Sequence, residues 1–93
     1  MEDDGTDFIL KPFDAAEAIR VNVAARLAGV APRTIQHWCA VHRIGRRIGG
    51  GHWRVSRVAL AMHLDGDEEA LRLYLSGDRV SARVAGYFRR AGL

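Results

Sequence analysis

The stretch Val21-Asn-Val-Ala-Ala-Arg-Leu-Ala-Gly-Val-Ala-Pro-Arg-Thr-Ile-Gln-His-Trp-Cys-Ala40 decides how this chain folds. Its spacing predicts two helices crossing steeply around a three-residue turn. Where such helices touch, the first needs a small residue, and Ala25 supplies it. Four positions later the turn needs a residue that tolerates positive φ, and Gly29 is there. Val30 can plug the gap between the helices. Asn22 is a good N-cap for a first helix over 23–28. Pro32 suits the first turn of a second, which the pattern carries to His42.

On a helical wheel the second helix divides cleanly. Ile35, Trp38, Cys39 and His42 share one face, which is expected to bury Ile35 and Trp38. Arg33, Gln36, His37 and Ala40 share the other. Arginine can bond guanine and glutamine adenine through two hydrogen bonds each in the major groove. Thr34, at the edge, is placed for a phosphate, and the helix N-terminus favours one.

Gly45 breaks the chain after this unit. Residues 46–55 then predict two short strands around Gly49-Gly50-Gly51, a hairpin carrying Arg46, Arg47, His52 and Arg54. Ser56 is a fitting N-cap for a helix over 57–64. Upstream, Asp14 and Glu17 have capping-box spacing and predict a short helix over 15–20. Downstream, helices are expected over 68–76 and 79–91, with Asp78 capping the last. The fold class expected is mainly α with a small β-hairpin: an acidic N-terminal arm (1–20), a winged helix-turn-helix (21–64) and a C-terminal helical extension (65–93).

Charge is distributed to match. The net charge is +3 over 93 residues, but residues 1–19 carry −5, residues 20–63 carry +8 with no acid at all, and residues 64–93 balance. Thirteen arginines against one lysine reflect a compositional bias. That bias explains arginine in place of lysine, not the missing acids. A forty-four-residue acid-free stretch suits a surface that neutralises phosphates.

Other classes find little support. The single cysteine, Cys39, leaves no internal disulfide and fits a reducing cytoplasm. No signal-peptide pattern or membrane-length apolar run is present. Cys39, His37, His42 and His52 are too scattered for a four-ligand zinc site, so no metal and no cofactor is expected. No catalytic triad or phosphate-binding loop with Lys-Ser/Thr is present, so the chain is not read as an enzyme.

Three segments, Val23-Ala-Ala-Arg-Leu-Ala-Gly-Val30, Pro32-Arg-Thr-Ile-Gln-His-Trp38 and Ile48-Gly-Gly-Gly-His-Trp-Arg-Val55-Ser56, together resemble the excisionase/MerR-like winged-helix family. The resemblance implies that Arg33, Thr34, Gln36 and His37 enter the major groove and that Arg47, His52 and Arg54 sit on the wing. Arg43 and Arg46 complete the candidate DNA contacts. The long dimerisation coiled coil and effector domain of MerR regulators do not follow here. The resemblance therefore implies a recombination directionality factor of a phage or mobile element. Such a factor would be cytoplasmic and nucleoid-associated, assist a tyrosine or serine integrase and also regulate transcription. A terminase-small-subunit-like packaging factor or a protein–protein adaptor is the alternative.

One short site gives little specificity in a genome, so several copies on adjacent sites are expected. The residues free to join them lie outside the reader: Phe8 in the run Phe8-Ile9-Leu10, and Val84, Tyr87 and Phe88 on one face of the last helix. That face could equally fold back on a small core.

Overall fold

The computed structural model describes residues 15–47 and 51–93. Asp14, Phe8 and the glycines Gly49 and Gly50 lie outside them, and with them the Asp14 cap, the Phe8 contact and the hairpin tip. A 3₁₀ turn (Ala15–Glu17) leads into strand β1 (Ala18–Arg20) and helices α1 (Val21–Ala28) and α2 (Pro32–His42). The hairpin strands β2 (Gly45–Arg47) and β3 (Trp53–Ser56) follow, then helices α3 (Arg57–Asp65), α4 (Glu68–Leu75) and α5 (Ala82–Arg90). This is a winged helix-turn-helix, mainly helical with a small antiparallel sheet.

The turn between α1 and α2 forms as its spacing demands. Gly29 takes the left-handed conformation at φ 72°, open to glycine without a Cβ clash. The amides of Gly29 and Val30 both donate to the Ala25 carbonyl, at 2.8 and 3.1 Å. Ala24, Ala25, Ile35 and Cys39 are buried where the helices meet. Trp38 is only half-buried: it sits on the flank of the inward face and lies edge-on to His63 of α3, ring centroids 4.6 Å apart. His42, at the last position of α2, is exposed and stacks on His63 at 4.5 Å.

The sheet has order β1-β3-β2, so the hairpin's second strand is central. The 15–20 helix is therefore corrected. Only Ala15–Glu17 turns, and Ala18–Arg20 is drawn out as an edge strand by pairing with β3. Helix α1 consequently starts straight from the strand at Val21, and Arg20 rather than Asn22 is its N-cap residue, without a side-chain bond.

Helices α3 to α5 share one core with the reader. Val55, Val58, Ala59, Met62, Ala70, Tyr74 and Val84 belong to the same buried cluster as Ile35 and Cys39. Ser56 caps α3 as expected, its Oγ accepting from the Ala59 amide at 3.0 Å. The last helix is shorter than its sequence pattern: Ser81, not Asp78, is its N-cap, while Asp78 Oδ1 accepts from the amides of Val80 and Ser81 and holds the preceding turn.

That packing corrects the expected joining face. Val84 is fully buried and Tyr87 7% exposed, because α5 folds back on α3 and α4. The Tyr87 hydroxyl donates to Asp65 and Asp67, at 2.9 and 3.1 Å. Phe88 is half-buried beside Tyr74. An apolar helical face records that burial is needed, not whether the cover is the same chain or another.

Candidate nucleic-acid interface

Helix α2 presents the face that the wheel assigns. Arg33, Gln36, His37 and Ala40 are exposed, opposite the buried Ile35 and Cys39, and Thr34 is half-buried at the edge. Neither α1 nor α2 has an acid in its first turn or a side-chain cap. Their first-turn amides thus keep the partial positive charge of a helix start.

Beside this face a groove of about 530 Å³ opens between the helix starts and the wing. Val21, Asn22 and Pro32 come from the helix starts, Gln36 from the reader helix, and Arg47, His52, Trp53 and Arg54 from the wing. The structure thus brings together four of the residues expected from sequence: Gln36, Arg47, His52 and Arg54. Arg33, Thr34, His37, Arg43 and Arg46 lie outside its lining. Arg20 and Asn22 line it as well. Sequence reasoning misses both, because it places Arg20 in a helix and Asn22 at a cap.

The wing is stiffened at its free end by the pair Arg47 and Trp53, which face each other across the hairpin. The Arg47 guanidinium lies over the indole, 5.2 Å from its centroid, a cation–π contact that orients the charge without neutralising it. Arg43 ends α2 with a left-handed backbone at φ 60°, exposed and pointing its charge away from the core.

Electrostatics separate along the molecule. Among the described residues, ion pairs join Arg83 to Asp67 at 2.9 Å, Arg90 to Asp65 at 3.0 Å and Arg72 to Glu69. All lie in α3 to α5 or their connections. The hydrogen bond from Tyr87, and then that from Arg90, hold the Asp65 carboxyl below its ordinary value. The Ala70 amide does the same for Asp67. Arg72, Arg83 and Arg90 thus meet local acids, while the described reader and wing residues themselves include no acid. The remaining described acid nearby, Glu17, is buried and accepts a hydrogen bond from the Tyr74 hydroxyl.

A two-helix reader, a wing and a basic groove between them are the parts that a duplex requires. The sequence model of the helix-turn-helix domain family matches residues 18–67, more than half of the chain. The chain belongs to this family. It is a DNA-binding helix-turn-helix family of the excisionase type, typically non-enzymatic. The family match begins at Ala18, the first residue of β1, and so includes the edge strand and Arg20. No curated protein and no solved structure gives a significant match to the chain. No helix among the described residues is long and apolar enough to cross a membrane.

Proposed function

We propose that this helix-turn-helix protein reads a specific duplex sequence as a recombination directionality factor of a phage or mobile element. In this role it loads in several copies on adjacent sites, assists a tyrosine or serine integrase, and regulates transcription from overlapping promoters in the nucleoid. The observation that carries the reading is the groove that joins Gln36 of the reader helix to Arg47, His52 and Arg54 of the wing, within a family match of excisionase type.

In the proposed complex α2 lies in the major groove. Arg33 and Gln36 read base edges, Thr34 and His37 bond near the backbone, and Arg43, Arg46, Arg47, His52 and Arg54 meet phosphates. Successive copies are related by translation and rotation along the duplex, so they touch head to tail and need no closed twofold dimer. With Val84 and Tyr87 inside the fold, the contact between copies falls to exposed Val80 and Leu93, beside Phe88, and to Phe8.

The test is selection of a target from randomised duplexes, followed by excision assays with a tyrosine or serine integrase whose attachment site contains the selected motif. Selection of one motif in tandem, with excision dependent on the protein, supports the role. Selective binding without any effect on excision leaves a transcription regulator and removes the recombination role.

A further inference from the structure

The strand register aligns three arginines. Arg20 of β1 pairs with Arg54 of β3, and Arg54 pairs with Arg46 of β2. Residues directly opposite on neighbouring strands share one face of a sheet. With strands about 4.8 Å apart, the row spans roughly 10 Å. The adjacent row, Ile19, Val55 and Gly45, is also in register and turns inward, with Val55 fully buried. A one-residue slip would exchange the two rows and bury the arginines, so the inward row locks the outward one in place.

Like charges directly opposite destabilise a sheet. Arg20 and Arg54 are exposed, and neither forms an ion pair with any described residue. Mixed signs at these positions would favour the free protein, and the sequence places none there. Arg20 and Arg54 also line the groove that contains Gln36.

We propose that the cross-strand row Arg20–Arg54–Arg46 is a phosphate-binding site that holds the sugar-phosphate backbone of the duplex while α2 reads its bases. The assignment rests on the DNA-binding reading and extends it to Arg20, a residue outside both the reader helices and the hairpin wing. The repulsion between Arg20 and Arg54 is relieved when the duplex supplies the counter-charge. Free-state stability and DNA affinity are therefore set against each other at these positions.

The experiment compares wild type, Arg20→Gln and Arg20→Lys on one duplex across a salt series, with thermal melting of each free protein. Arg20→Gln is expected to make the slope of log affinity against log salt shallower by about one, equally for target and random duplex. Its melting temperature should equal or exceed that of wild type. Arg20→Lys should keep the wild-type slope, since the charge remains. An unchanged slope in Arg20→Gln, with wild type binding normally, removes Arg20 from the backbone and overturns the proposal but not the DNA-binding reading. A lowered melting temperature for Arg20→Gln, or a shallower slope in Arg20→Lys, overturns it too, because Arg20 would then be structural. Failure of wild type to bind any duplex at low salt overturns both.

Discussion

Gly45 packs directly against Cys39: a Cβ built on Gly45 would lie 2.4 Å from Cys39 Sγ and 3.0 Å from the Arg54 carbonyl oxygen. The wing's first strand can approach the reader helix this closely only without a side chain. Gly45→Ala is therefore expected to destabilise the fold by about 1–3 kcal/mol, the usual cost of overpacking. Cys39→Ala in the same chain should recover part of that loss by removing the sulfur. Burial also pushes the Cys39 thiol up to about 12, so in the native protein it should resist alkylation and react only on unfolding. Urea melts of the two variants and the double mutant check the first expectation, and iodoacetamide labelling checks the second.

The buried chain Glu17–Tyr74–Ser56 ties three distant segments together. The Tyr74 hydroxyl donates to Glu17 and receives from Ser56 Oγ at 2.9 Å. Its pKa is raised, first by burial and then by the bond to Glu17. Tyr74→Phe leaves the Glu17 carboxylate buried without its donor, so a loss of about 1–3 kcal/mol is expected, toward the upper end because the acceptor is charged. Glu17→Gln keeps an acceptor and should cost less. Denaturant midpoints at constant m-value measure the difference. A Tyr74→Phe variant as stable as wild type would mean that the tyrosine acts through packing alone.

Helix α2 is legible because its start and its inward face are carried by local chemistry: Pro32 at its first turn, Gly29 in the turn before it, and Ile35 and Cys39 on one stripe. Strand β1 is not legible. Three residues, Ala18-Ile-Arg20, are too few to show an alternating pattern, and the acidic spacing ahead of them imitates a helix start. Only pairing with β3, more than thirty residues away, makes them a strand. The same distance hides Arg20 from sequence reasoning, although the excess of arginine over acid in this region gave its charge. Gln36, Arg47, His52 and Arg54 were legible as types because polar donors on a helix face and a glycine-rich hairpin have few other uses together.

Helices α2 and α3 meet where His63 stacks against His42, and the titration of His63 acts on stability. Burial, and then the neighbouring His42, lower the His63 pKa below its ordinary 6.5. Between the unfolded and folded values the unfolded chain binds more protons, so stability rises with pH across that window. The contribution is whole above about pH 6.5 and is lost as pH falls through that value toward the lower folded pKa. Denaturant melts between about pH 5 and 7.5 should show this loss, and His42→Ala should reduce it. Stability independent of pH over that range would show that His63 is not held below its ordinary value in the fold.

Arg43 pays a backbone cost at the end of α2, where φ is 60° on a residue with a Cβ. A left-handed residue of this kind is strained by about 1–2 kcal/mol, partly offset in glycine by its greater chain entropy. Arg43→Gly should thus stabilise the free protein by roughly 0.5–1 kcal/mol. If Arg43 meets a phosphate as proposed, the same change should weaken DNA binding on every sequence. Thermal melting and a duplex titration of the one variant read both effects. A gain in stability with unchanged affinity would remove Arg43 from the interface.

The exposed face of α2 and the wing should differ in what their loss does to specificity. Arg33 and Gln36 stand on the face opposite the buried Ile35 and Cys39, and Gln36 also lines the groove shared with the wing. If they read bases through paired hydrogen bonds, replacing either by alanine leaves a base edge unread. The preferred sequence should then lose about 1–3 kcal/mol relative to its competitors at one position. Arg47 is different: it is held over Trp53, on the wing, and in the proposed complex it meets backbone charge common to all sequences. Arg47→Ala should weaken target and random duplex by the same factor and make the salt dependence shallower by about one. Binding of a randomised duplex pool to wild type and the three variants, sequenced before and after selection, separates these outcomes. Retained base preference in both Arg33→Ala and Gln36→Ala would place the reading elsewhere on α2, and altered preference in Arg47→Ala would make the wing a reader of sequence.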